Sequence, residues 1–233
     1  MNDYDVIDGG DGTDTITIKI AAAAGGTTII PQLTSIENIQ VTNDTAVEGL
    51  AIANDDLLVV STAGLTGIES VSNIAGNDGV TFNDLANPVD VTIKSALNTT
   101  TVNFNATALT GASDAVTLTL SGTNATTVAL TDDSTSTASA LESLTINSIS
   151  VANTLADLQI DGVLTPSVTV TGSTALTITA ALDANVTTVD ASANSGGLTL
   201  SAAPGATVVS ITGSSAADTL SAIGAGTTTL SMG

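Results

Sequence analysis

The sequence predicts an all-β fold, and within that class a right-handed parallel β-helix. Three observations predict it. First, short runs that alternate apolar and polar residues recur along the whole chain. Period-two alternation gives each run one inward and one outward face. Second, Gly9-Gly10-Asp11-Gly12-Thr13-Asp14-Thr15-Ile16-Thr17 fits the nonapeptide G-G-x-G-x-D-x-U-x, with U a large aliphatic residue, at every fixed position. That nonapeptide is a repeat unit of parallel β-helices. Third, 42% of the 233 residues are hydrophobic but only 1% are aromatic. A globular domain usually anchors its centre on large rings. A narrow solenoid interior is filled by stacked Val, Ile, Leu and Ala instead.

Taken in order, Asn2-Asp3-Tyr4-Asp5-Val6-Ile7-Asp8 fits part of a preceding nonapeptide, with Asp5 at the acidic position and Ile7 at the aliphatic one. Residues 9–17 follow as the complete copy. An apolar–Glu–apolar box then recurs, as Leu33-Thr34-Ser35-Ile36-Glu37-Asn38-Ile39, Leu65-Thr66-Gly67-Ile68-Glu69-Ser70-Val71 and Ala140-Leu141-Glu142-Ser143-Leu144. The boxes hold three of the four glutamates, so a shared structural task is expected: capping a turn, or accepting a hydrogen bond from the next coil. Strands are expected at Thr15–Ile20, Val116–Leu120, Val168–Thr171 and Leu176–Thr179, with Ile7, Ile16, Val170 and Ile178 pointing inward. Helical turns are expected only near Ala51–Leu58 and Ala152–Leu158. Pro31, Pro166 and Pro204 border strand-like runs as loop starts. The polar stretch 131–137 is the one weak boundary. A degraded nonapeptide closes the pattern at Gly213-Ser214-Ser215-Ala216-Ala217-Asp218-Thr219-Leu220-Ser221. The chain therefore reads as one continuous solenoid segment of a longer polypeptide. Nonapeptides occupy residues 1–20, degenerate strand repeats 21–212, and a second nonapeptide stretch starts at 213–233.

Charge narrows the function classes. The chain has 23 acidic residues, two basic ones (Lys19 and Lys94) and no His, for a net charge of −21. No basic patch exists to neutralise phosphates, so nucleic acid is not an expected partner. No apolar stretch is long enough for a membrane-spanning helix. With no Cys, neither disulfides nor thiol chemistry is available. Without His or Cys there is no Ser-His-Asp triad and no zinc site of the usual ligands. No enzymatic activity is expected.

The nonapeptide points to calcium. Its glycines turn the backbone tightly and aim carbonyls at an ion, and its aspartate adds a hard, charged oxygen. In such a solenoid a coil takes about 18 residues, and an ion sits between turns of neighbouring coils. Sites at this end can also draw on Asp3, Asp8 and Asp11. The alternative is a Gly-Asp turn without metal. Asn54-Asp55-Asp56, Asn77-Asp78-Gly79, Asn83-Asp84 and Asp132-Asp133 are weaker clusters that read as Asx turns.

These nonapeptides resemble the repeats-in-toxin (RTX) calcium-binding family. The Ile-Glu boxes, the run 186–200 and the following Ile211–Leu220 look like RTX-type bacterial surface-layer proteins and related giant adhesins. The resemblance implies ligand-bearing Asp5, Gly9, Gly10, Gly12 and Asp14, a matching Asp218, and Asp190 as an inter-coil residue. It also implies Ca2+ as cofactor, type I secretion, and a place on the bacterial cell surface as a self-assembling S-layer subunit. Partners would be further copies of the chain, with lipopolysaccharide or another surface glycan as anchor. Two departures stand out: the nonapeptides are few, and no secretion signal is present. The alternatives are the β-solenoid stalk of a secreted RTX adhesin and the RTX appendage of a secreted lipase or protease. The Thr-x-Thr runs Thr15/Thr17, Thr117/Thr119, Thr169/Thr171 and Thr177/Thr179 raise an ice-binding reading. Their uneven spacing in the sequence argues against it.

Overall fold

An alternating run buries its apolar side only when its main chain pairs with neighbours and that side lies on a second sheet. The computed structural model, which describes residues 5–20, 26–44, 57–133, 141–160, 167–202, 208–222 and 227–233, solves this by winding. A small sheet pairs β1 (Val6–Asp8) with β4 (Gln32–Thr34). A ten-stranded sheet holds β2 (Thr15–Ile20), β5 (Asn38–Asn43), β7 (Ser70–Ile74), β9 (Asp90–Lys94), β11 (Ala115–Ser121), β13 (Ser143–Ile149), β15 (Ser167–Gly172), β17 (Thr188–Asn194), β19 (Val208–Thr212) and β21 (Thr227–Ser231). A nine-stranded sheet holds β3 (Thr27–Ile29), β6 (Leu58–Ser61), β8 (Val80–Leu85), β10 (Thr100–Phe104), β12 (Asn124–Asp132), β14 (Asn153–Ile160), β16 (Leu176–Ala181), β18 (Leu198–Ala202) and β20 (Thr219–Ala222).

From β5 onward the chain alternates strictly between the two large sheets, and each strand pairs in parallel with the strand one coil away. This is the parallel β-helix predicted above. Its core is a stack of aligned aliphatic side chains. Ile16, Ile39, Val71, Val91, Leu118, Ile146 and Val170 form one column through seven successive coils. All seven are buried. Ile178 is buried too, and Ile7 packs on the core from its rim. Phe82 and Phe104, the two phenylalanines, are fully inside the nine-stranded sheet's inner face.

The coils are longer and less even than expected. The step between paired residues runs from 19, Val208 to Thr227, to 32, Asn38 to Ser70. The reason lies in the turns. From β7 onward, the turns leading into the nine-stranded sheet are short, from two residues (122–123) to six (213–218). The returning turns run from four (86–89) to ten (105–114) and absorb the variation. At the short edge Ala75, Ser95 and Ser150 sit at stacked positions with φ of 52°, 53° and 72°. The buried amides of Asn43, Asn73, Asn153 and Asn194 line the same side: Asn43 and Asn153 donate to the turn carbonyls of Gly79 and Val151, Asn194 accepts the Gly196 N–H, and Asn73 donates to the Thr100 hydroxyl.

The expected helical turn at Ala152–Leu158 is instead strand from Asn153 onward, the start of β14. Leu155 and Leu158 are both buried, three residues apart, which mimics helical spacing. The neighbouring β12 changes face in step, with Ala125 and Val128 buried, so both strands bend together and stay paired. The other expected turn lies mostly outside the described residues, and Leu58 opens β6. Thr131 and Asp132 of the polar stretch belong to β12, which is paired on both sides.

A column of this kind makes a direct prediction. Ile146→Ala is expected to cost about 2–5 kcal/mol, read by urea unfolding. Thr101→Ala, on an outward position of β10, is expected to stay within about 0.5 kcal/mol.

Candidate functional site

Residues 9–14 of the complete nonapeptide form the turn between β1 and β2, and its last three residues open β2. Asp8 ends β1, and its Oδ1 accepts the Gly10 N–H at 3.1 Å, an Asx turn. Gly10 and Gly12 have φ of 86° and 124°, a backbone that side-chain-bearing residues rarely adopt. Gly9 serves a different need. A Cβ there would collide with the Ser35 carbonyl and lie 2.8 Å from Asp14 Cβ. The bare Gly9 is what lets the Asp14 side chain fold back over the turn. Asp11 stands exposed at the apex. Asp5 is half-buried before β1, and its carbonyl accepts the Gln32 N–H at 3.3 Å.

Asp14 is the hub. Its carbonyl accepts the N–H groups of Glu37 at 3.2 Å and Asn38 at 3.0 Å. Its own N–H donates to Glu37 Oε2 at 2.7 Å. Its Oδ2 is buried and has no hydrogen-bond partner. A carboxylate oxygen withdrawn from water and left unpaired is costly, and a divalent cation is one group that would satisfy it. Glu, Asp, His and Cys side chains do not converge in threes anywhere among the described residues. The side chains that would hold an ion at this turn are therefore two carboxylates, Asp14 with its buried free oxygen and the neighbouring Asp8.

Asp218 occupies the matching place before β20 but has acquired protein donors. Its Oδ1 accepts the Leu198 N–H at 2.8 Å and the Ser214 hydroxyl at 2.7 Å, and its Oδ2 accepts the Ser214 N–H at 2.9 Å. Ser214 stands where the complete nonapeptide has Gly10, which explains the added hydroxyl donor. Asp190 accepts the N–H of Ser192 at 2.9 Å within its own strand. That bond, followed by the Ser192 hydroxyl, holds its carboxyl below the usual carboxylate range. The register shifts beside it, so Asp190 caps a bulge.

The glutamate boxes reveal a device that runs through the molecule. Glu37 Oε2 takes the Asp14 N–H, and Glu142 Oε2 takes the Asp114 N–H, both at 2.7 Å. The expected bond between coils is present at these two boxes, and it reaches to the preceding coil. Asp183 Oδ2 does the same to the Ile160 N–H at 2.7 Å, and Asn153 Oδ1 to the Thr123 N–H at 2.8 Å. With Asp218 on Leu198, five side-chain acceptors each tie a turn to the coil before it. Asp114 was missed in the sequence because its glycine, Gly111, lies three residues ahead rather than five. Its Oδ2 accepts the Gly111 N–H at 2.9 Å. The available signal was an aspartate one residue ahead of an alternating strand.

Of the weaker clusters, Asn77 Nδ2 donates to Asp44 Oδ1 at 2.8 Å, and Asn103 Nδ2 donates to Asn83 Oδ1 and Asp133 Oδ1, each at 3.0 Å. Asn2 to Tyr4 and Asn54-Asp55-Asp56 lie outside the described residues. No helix among the described residues is long and apolar enough to cross a membrane. Comparison with protein-family models, with curated proteins and with solved structures found no match.

The inter-coil bond has a measurable worth. Glu142→Ala leaves the Asp114 N–H without its acceptor and is expected to cost about 1–3 kcal/mol. Glu142→Gln keeps an acceptor oxygen and is expected to recover most of that loss in the same unfolding assay.

Proposed function

We propose that this chain is part of a secreted, calcium-dependent structural protein of the bacterial cell surface, an S-layer subunit that associates with further copies of itself. The observation that carries the reading is the buried, unpartnered Oδ2 of Asp14 at the one turn where every nonapeptide position is kept. Calcium there would neutralise a carboxylate that otherwise opposes the stacking of the first coils. A site with so few carboxylates suits weak extracellular binding, at about 10⁻⁴–10⁻³ M. At free calcium about 100 times the dissociation constant, such a site adds about 2.7 kcal/mol. Low cytosolic calcium would leave the chain less stable before export. The continuous parallel stacking of coils suits a lattice component, and the residue types present supply no catalytic set.

The test is a calcium titration of the whole chain against a magnesium control, followed by far-UV circular dichroism, thermal unfolding and sedimentation velocity. Calcium is expected to raise the unfolding temperature and to drive ordered assembly, and magnesium is not. Asp14→Asn is expected to abolish the calcium-dependent rise, whereas Asp190→Asn, at an exposed bulge, leaves it intact. A chain that gains stability from calcium but stays monomeric would support the adhesin-stalk alternative. A chain equally stable in EDTA would remove calcium from the account.

A further inference from the structure

The Thr-x-Thr runs have no part in the calcium turn, and their uneven spacing along the chain is the argument against a common array. For the runs on the ten-stranded sheet the strand register removes that argument, whereas Thr177 and Thr179 lie on β16 of the other sheet. Thr117 pairs with Thr145 and Thr145 with Thr169, while Thr119 pairs with Asn147 and Asn147 with Thr171. The long turns take up the differences in coil length, and the side chains fall into two straight columns on the outward face of the ten-stranded sheet. The second column continues from Thr119 through Thr92, Ser72 and Gln40 to Thr17. No register shift interrupts these pairings between β2 and β15.

Three properties of this face bear on its ligand. Its residues alternate with fully buried neighbours and remain part-exposed, so their hydroxyl and amide groups meet solvent. Strand spacing of about 4.8 Å and a two-residue advance of about 6.7 Å set a rectangular grid of polar groups. The column from Thr17 to Thr171 holds no charged side chain, in a chain of net charge −21. Neighbours also hold one another in place: Thr17 donates to Gln40 Oε1 at 3.2 Å and Thr171 to Asn147 Oδ1 at 3.4 Å.

We propose that this face binds ice, with the two columns across β11, β13 and β15 holding a layer of water in ice-like order. The Thr methyl groups exclude loosely held water between the hydroxyls, and the six positions on these three strands carry no charge, the exposed Asp190 beside Thr169 marking the edge of the patch. Other flat partners fit less well. A planar polysaccharide is gripped through aromatic rings, and Phe82 and Phe104 are buried. A second copy brings the same −21 charge and a face poor in the residues that build protein interfaces.

The test uses the whole chain in calcium-containing buffer. Thermal hysteresis and inhibition of ice recrystallisation are measured for the parent, for Thr119→Lys with Thr145→Lys, and for Thr101→Lys on the opposite sheet. Both activities are expected in the parent and in Thr101→Lys, and are expected to be lost in the double variant with its circular dichroism unchanged. A folded parent without either activity, or a folded double variant that keeps them, overturns the proposal. Should the double variant fail to fold, Asn147→Lys is judged by the same criterion. Calcium binding and assembly play no part in the readout, so failure here leaves the structural-protein reading standing.

Discussion

The in-register main-chain ladder between successive coils is the constraint on which everything else depends. Each strand of the two large sheets is paired in parallel, and each turn must return the chain one strand-width further along. A one-residue slip would turn the whole inner face of a strand outward. The aligned column from Ile16 to Val170 is therefore both a product of the register and its guard. Stability in such a stack is close to a sum of neighbour terms, so a coil that loses its phase loses its contacts on both sides.

Aliphatic side chains alone fix the phase weakly, because Val, Ile and Leu pack interchangeably at many heights. The side-chain acceptors at the turns add a directional element. Glu37, Glu142, Asp183, Asp218 and Asn153 each claim one specific N–H of the preceding coil, at 2.7–2.8 Å. These bonds also explain how a chain so acidic can stack. Many carboxylates sit at turns, where a backbone N–H partly offsets their charge. The sheets' outer columns between them carry mainly Thr, Ser, Asn and Gln. Asp14 differs from the others because one of its oxygens is buried with nothing to meet it.

Local pattern made the strands legible, and the places where it misled have physical causes. Val116–Leu120 and Val168–Thr171 lie within β11 and β15 because an alternating run has one good way to bury its apolar side. Ala152–Leu158 read as a helical turn because a bend shared by β12 and β14 puts Leu155 and Leu158 inside, three residues apart. Asp114 escaped notice because a shorter Gly-to-Asp spacing builds a similar turn by another route. The partners of Glu37 and Glu142 could be expected but not named, since coil length varies from turn to turn and only the fold counts it.

The sequence by itself determined the all-β class, the inward residues, the complete turn at Gly9–Asp14 and the acidic surface. Each of these depends on residue types a few positions apart, and short-range chemistry is written directly in the chain. The tertiary structure alone decided which coil lies on which, that Asp218 meets protein donors while Asp14 Oδ2 meets none, and that the unevenly spaced Thr runs of the ten-stranded sheet fall into register. Those outcomes depend on turns of different length closing onto one strand spacing, a condition that no single stretch of sequence contains.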